Sequence, residues 1–234
     1  MNYLIWKGKD SRDIKGLIIC ELPPITKPPM RVAETTIDGV DGSMLEELGY
    51  ASYDKGIAIG LTRDANINEV IEYFTGSGEV VFSNEGDKCY KAIIANQIDY
   101  ARLVRFRTAT VVFRVQPFKY LYQEAVSVVD NADNTLNSAV VINIGNYTAK
   151  PVMEIEGSGE VVLSVNGSTL FRYTFPEGEN TVVIDSEKQD AYVGVNLKNR
   201  NMIGEFPVLD KGTNTISWDG SITKMIITSK SRWL

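Results

Sequence analysis

The sequence contains no histidine among its 234 residues. That absence removes Ser-His-Asp triads, Cys-His pairs, His-ligated metals and the commonest general base. Any catalysis would rest on carboxylates, Lys or Tyr alone. Cysteine is nearly absent too. Cys20 and Cys89 are the only two, too few for a four-thiolate zinc site, and in a reducing compartment they read as buried thiols rather than a bridge. No run approaches the roughly 18 apolar residues of a membrane span. The opening Met1–Lys7 lacks the charged start and apolar stretch of a secretion signal, so the expectation is a protein made and assembled in a cytoplasm. Cations are in deficit: 24 Lys and Arg against 30 Asp and Glu give a net charge of −6. Residues 1–122 are near neutral, with 15 cations and 16 acids, whereas residues 123–234 hold 9 and 14. Such a balance repels nucleic-acid backbones and anionic membranes.

What is present is apolar residue at 44%, enough for real cores, in a length that fits one large or two small domains. Strand-like runs open the chain at Tyr3–Trp6 and Leu17–Leu22. Four prolines between Pro23 and Pro29 then exclude a helix or a central strand. The segment reads as a stiff extended spacer or arm, or as a loop. Arg31–Ile37 alternates like a strand. Asp38-Gly39-Val40-Asp41-Gly42-Ser43 is dense turn chemistry that lacks the acidic order of a calcium loop.

After a strand at Ile57–Leu61, the clearest helix starts at an Asn66 cap, with Glu69 at capping-box spacing. Ile67, Val70, Ile71 and Phe74 share its face, and Gly76 is placed to end it. Val80–Phe82 and Tyr90–Ile94 pair around Asn84–Asp87. Ala101–Phe118 carries the strongest strand signal, placing Arg105 and Arg107 on one face with Ala109, Val111 and Phe113. That face is either a solvent-exposed strand end or arginines crossing a subunit boundary. Asp130–Ser138 reads as a junction or long hairpin between two domains.

Beyond it, short strands recur at Val140–Ile144, Pro151–Glu156, Val161–Val165, Thr169–Phe175, Thr181–Ile184, Ala191–Val195, Asn214–Trp218 and Lys224–Thr228. Turn residues separate them at Gly157–Gly159, Asn166-Gly167, Pro176–Gly178 and Asp219-Gly220. This spacing predicts a sandwich or jelly roll. Gly76-Ser77-Gly78-Glu79-Val80-Val81 recurs as Gly157–Val162, a turn-then-strand solution used twice. The apolar close at Trp233-Leu234 predicts a final strand in a packed sheet, or docking on another subunit.

Taken together, these segments resemble the Dit family, the distal tail proteins of long-tailed bacteriophages infecting Gram-positive bacteria. The resemblance rests on the 38–43 turn after a strand, Ile71–Phe74 followed by Gly76–Phe82, Tyr90-Lys91-Ala92 and Pro117–Tyr120. In the second half it rests on Asn143–Asn146 with Pro151, Gly157–Gly159, Gly212–Gly220 and Arg232-Trp233. Val40 stands where the family often has Arg, and Tyr73-Phe74 where it commonly has Trp.

The resemblance implies a mainly β protein. Residues 1–122 would form a β-sandwich or barrel-like belt domain with one short helix, closing into a hexameric ring. Residues 123–234 would form a galectin-like jelly-roll β-sandwich projecting outward. The homo-hexamer would join the tail tube protein to the tail-tip (tail-associated) protein in the virion, with receptor-binding proteins or a baseplate docking outside. DNA would pass through the lumen without specific binding. No cofactor, metal, catalytic residue or membrane is implied. The subunit-interface candidates are Arg31, Asp38, Asp41, Arg105 and Arg107.

Three other readings compete. One is a carbohydrate-binding module using Tyr147, Phe171, Tyr173, Phe175, Tyr192, Phe206 or Trp218 as a stacking platform, although the galectin sugar site uses a histidine. Another is a glycosidase built on Glu154/Glu156 or Glu177/Glu179. The third is a tube or tip protein of the same tail.

Overall fold

In the computed structural model, which describes residues 1–94 and 96–234, the chain is mainly β. It divides into two compact units, Met1–Tyr122 with Leu234, and Gln123–Trp233. Each has its own apolar core. No helix among the described residues is long and apolar enough to cross a membrane.

The first unit opens with β1 (Leu4–Trp6), β2 (Lys9–Asp10), β3 (Leu17–Glu21), β4 (Met30–Thr36), β5 (Ser43–Tyr50) and β6 (Tyr53–Leu61). Helix α1 (Ile67–Tyr73), β7 (Ser77–Phe82), β8 (Lys88–Ile94), helix α2 (Tyr100–Phe106) and β9 (Thr108–Leu121) follow. The sheet order is β2-β1-β7-β8-β9-β6-β3, and among the described residues β4 and β5 pair only with each other. The sheet wraps a core centred on Trp6, Phe82 and Phe113, whose rings meet edge-on at 5.2 and 5.7 Å. Such pairs add about 0.5–1.5 kcal/mol each beyond burial. Inward residues alternate along the strands, as in Ile57, Ile59 and Leu61 or Val111, Phe113 and Val115. Asn66 caps α1 by accepting from the Asn68 amide at 3.2 Å. Glu69 does not close a capping box; it lies 3.4 Å from Lys9.

Two readings of the first unit need correcting. Residues 101–106 belong to α2, not to the strand, so the unit has two short helices rather than one. Ala, Arg and Leu favour the helix, and Leu103 anchors it with no exposure at all. Arg107, at φ 59°, turns the chain out of α2, and β9 starts at Thr108. Arg105 and Arg107 therefore share no strand face with Ala109, Val111 and Phe113.

The second unit contains β10 (Val126–Asp130), β11 (Ser138–Asn143), β12 (Val152–Val165), β13 (Ser168–Thr174), β14 (Thr181–Asp185), β15 (Asp190–Val193), β16 (Asn196–Leu197), β17 (Met202–Gly204), β18 (Gly212–Thr228) and β19 (Arg232–Trp233). β18 pairs with β12 along one side, and with β11 and β10 in turn along the other. β12 passes on to β13 and β14. Asn166 (φ 53°) and Gly167 (φ 82°) make the expected tight hairpin turn between β12 and β13.

Here two expected turns are not turns. Gly157–Gly159 and Asp219-Gly220 lie inside the single long strands β12 and β18, at register shifts facing each other. A Cβ on Gly157 would sit 2.3 Å from the Ser221 carbonyl oxygen, and one on Gly220 2.2 Å from that of Glu160. These glycines serve close backbone approach and a bulge, so the strands bend without ending. Nor is Asp130–Ser138 an interdomain junction. It is the β10–β11 loop inside the second unit, held by buried Asn131, whose side chain donates to the Leu136 and Ile222 carbonyls. Trp233 and Leu234 are half-buried, and Arg232 donates to the Thr148 carbonyl. Cys20 is exposed and Cys89 buried, and they do not bridge.

Candidate assembly surface

The ribbon of β4 and β5 is the feature the first unit's own core does not account for. A two-stranded hairpin is marginal by itself in water. Yet neither strand has a buried residue. Large apolar side chains stand in solvent along it, with Leu45 at 69% and Met44 at 65% exposure, and Val32, Ile37, Val40 and Leu48 beside them. Contiguous apolar exposure of this kind marks an interaction surface.

Register partners share a face of a ribbon. Val32 opposes Glu47 and Glu34 opposes Leu45, so these four form one face. Ala33 and Thr35 oppose Glu46 and Met44 on the other. The tip is Ile37–Gly42, turned by Gly39 (φ 83°) and Gly42 (φ 88°).

The ribbon is held at its root. Residues 22–29 belong to no helix or strand, and Pro23 and Pro28 are buried. Prolines have no amide to donate, so the strap offers mainly carbonyls. Asn84 donates to the Pro23 carbonyl at 2.9 Å, Lys55 to that of Pro24 at 2.8 Å, and the Ala51 amide to that of Pro29 at 2.9 Å. The proline run is therefore a pinned strap leading into the ribbon.

Behind the strap lies a buried charge cluster. Lys55 is 3% and Lys119 6% exposed. Lys119 Nζ lies 2.7 Å from Glu85 Oε1, and the Tyr90 hydroxyl donates to Glu85 Oε2 at 2.6 Å. Lys55 Nζ stands 5.0 Å from the centre of the Tyr90 ring. Burial works to raise the Glu85 carboxyl, but hydrogen bonds from Lys119 and Tyr90 outweigh it, so its pKa falls below the usual carboxylate range. Burial pushes the Lys55 ammonium down, partly offset by the Glu85 charge. Burial and the bond to Glu85 both push the Tyr90 hydroxyl up, which keeps it a donor.

Of the interface candidates, Arg31 lies exposed in β4, and Asp38 and Asp41 are exposed in the tip turn. Arg105 is exposed near the end of α2, and half-buried Arg107 follows it. Three of the five thus lie on the ribbon, Arg31 beside its root and Asp38 and Asp41 at its tip. The other two lie at the end of α2, beside the Leu61 end of β6, where the Arg107 carbonyl accepts from the Leu61 amide.

Sequence reasoning missed the Lys55–Glu85–Lys119 clamp. A signal existed: Lys55 is in phase with Ile57 and Ile59, and Lys119 with Val111, Phe113 and Val115, so each lysine stands on an inward row. The candidate sugar platform is not assembled. Phe171, Tyr173, Phe175 and Trp218 are buried in the second core, and Phe206 packs against it. Glu154 and Glu156 do share a face of β12, but Glu156 lies 3.6 Å from Lys224; Glu179 is paired with Lys198.

No protein-family model and no curated protein matches the sequence. Solved structures do match. The crystal structure of the Dit protein of phage SPP1, described as a paradigm of hub adsorption apparatus in phages infecting Gram-positive bacteria, aligns over 100% of both chains at a TM-score of 0.72 and 13% identity. The chain has the Dit fold. Chains of the phage P2 baseplate in its activated conformation, with Ca and with Sr, align over 97% of both chains at a TM-score of 0.51, with 7% and 8% identity. A Dit-like fold accounts for both units at once, since the alignment with SPP1 Dit spans the whole chain.

Proposed function

We propose that this chain is a structural protein of a phage tail: a hexameric hub at the distal end that joins the tail tube to the tail-tip protein. The observation that carries the reading is the full-length Dit fold, shared with a protein described as a hub adsorption apparatus. The uncovered ribbon supports it. A heterologous contact repeated with the right rotation closes a ring, and ring closure would cover the apolar side chains a lone chain exposes.

In this reading the first unit forms the belt, with Arg31, Asp38, Asp41, Arg105 and Arg107 at its subunit contacts. The second unit projects outward, where receptor-binding or baseplate proteins dock. The net charge of −1 over residues 1–122 suits a lumen through which DNA slides without sticking. The role is structural, requires no cofactor, and places the protein in the virion after assembly in the host cytoplasm.

The test is the native mass of the purified chain, with negative-stain images. Six copies per particle and a central hole are expected, alone or with the neighbouring tail proteins supplied. Single chains at high concentration, with no hollow particles even then, would overturn the reading.

A further inference from the structure

We infer that β11 is the seat of a strand supplied by a different protein: an extended, uncharged segment with an apolar residue at every second position adds to its open edge. The inference rests on the ring reading above, and its test separates the two.

The edge is open in a definite register. β11 pairs with β18 on one side, and among the described residues no strand pairs with its other side. The Trp218 amide donates to the Asn137 carbonyl at 2.9 Å. These two residues face each other as a hydrogen-bonded pair, and in an antiparallel ladder such pairs recur at every second residue. Ala139, Val141 and Asn143 therefore spend their amides and carbonyls on β18, whereas Ser138, Val140 and Ile142 turn theirs away from it. The next amide of that row, Ile144, donates to the Ser231 hydroxyl at 3.1 Å, which marks where the open stretch ends.

The side chains agree with the backbone. Val140 is 62% and Ile142 57% exposed, on the face opposite buried Val141, and an incoming strand would lay alternate side chains beside them. The edge also lacks what keeps other edges from pairing. β2, β3, β4, β5 and β10 carry charged residues, and β16 and β17 are two and three residues long. Charge and shortness are the usual guards against an added strand. β11 has six residues, and neither a charged residue nor a proline lies between Asp133 and Lys150.

The occupant is not the β11 of a neighbouring copy. Like strands pair antiparallel across a two-fold axis, and a ring built on a single six-fold rotation places no two-fold between neighbours. What the edge offers is main-chain bonds and apolar contact, with no charge to attract a charged partner. That chemistry specifies an extended, uncharged segment, the mode of recognition by strand addition.

The experiment is hydrogen exchange, read amide by amide by mass spectrometry, on the full chain as free rings and as assembled in complete tails. The amides of Ser138, Val140 and Ile142 are expected to exchange about a hundredfold more slowly in tails than in rings, while those of Ala139 and Val141 are slow in both. A second arm adds to the free rings a blocked synthetic peptide of alternating Thr and Val with a Lys at each end, and the same three amides should slow. Val140→Pro removes an amide that the β18 ladder does not use, so rings and melting temperature should be unchanged while peptide affinity falls about tenfold. Ile142→Lys serves if the proline variant fails to fold. Equal exchange in rings and tails overturns the inference, as does a peptide that slows none of the three amides or binds Val140→Pro as well as wild type. Protection already present in rings, or in pairs of rings sharing the edge, assigns the edge to a second copy and overturns it too. A chain that never forms rings overturns the ring reading instead, and the edge is then read on the single chain with the peptide.

Discussion

At the scale of single residues, the informative group is the pair of buried lysines near one carboxylate, which Lys119 contacts and Lys55 feels only through its charge. Two cations and one anion in an apolar surround are costly unless every proton finds an acceptor. Lys55 spends one on the Pro24 carbonyl and Lys119 one on Glu85. The arrangement couples the unit's stability to the direction of the strap. Replacing Glu85 with Gln would leave both ammonium groups uncompensated, so we expect a loss of about 3 kcal/mol at neutral pH, read by urea unfolding. The pH dependence has a definite sign. The folded pKa of Glu85 lies below its unfolded value, so its contribution is present above the unfolded carboxylate pKa of about 4.3 and is lost as pH falls through the folded value. Glu85→Gln should therefore flatten the acid limb of melting temperature against pH. An acid limb as steep as wild type would refute the assignment. Lys55, with its pKa lowered by burial, acts on the alkaline side. Stability should rise as pH passes its folded value toward the unfolded value of about 10.4.

At the scale of elements, what could be read from the sequence followed from periodicity and caps. Short apolar runs placed β1, β3, β7 and β8, alternation placed β4, and an Asn cap with an apolar stripe placed α1. The failures have two physical sources. Across Ala101–Phe118 the alternation runs through both a helix and a strand, and the only break is Arg107, in a left-handed conformation that arginine rarely adopts and that its identity does not announce. In β12 and β18, Gly-Ser-Gly and Asp-Gly satisfy turn chemistry, and only the facing strand decides that they are bulges. β5 was not foreseen, because Glu46 and Glu47 interrupt its pattern and no core imposes one. The candidate site was legible in part. Exposed Arg31, Asp38 and Asp41 advertise themselves in a turn-rich hairpin, whereas the clamp is legible only as two lysines out of character with their row. The bulge assignment makes a prediction. Gly220→Ala must place a methyl 2.2 Å from a backbone oxygen at φ 98°, and should cost at least about 2 kcal/mol. Gly178→Ala, at φ 81° in open space, bears only the conformational penalty, about 1 kcal/mol. Urea unfolding of both variants checks the difference; equal losses would mean that the close approach in β12–β18 is not real.

At the scale of the whole molecule, two independent cores allow assembly and display to be separated. The cluster around Trp6 and Phe113 draws only on residues of the first unit, and that around Met153 and Trp218 only on those of the second. The ribbon, its strap, the lysine clamp and α2 all lie before Tyr122. Everything proposed to close a ring is therefore encoded in the first unit, which carries a net charge of −1, while the second carries −5. Copies of the second unit brought close around a ring would repel one another, which opposes closure. Residues 1–122 alone should accordingly fold and form rings, with a lower sensitivity to low ionic strength than the intact chain, because the self-repelling charge is gone. Sedimentation at two salt concentrations measures both points. A fragment that stays single while the intact chain forms rings would move the closing contact into the second unit, and would leave the exposed ribbon of the first without the role assigned to it.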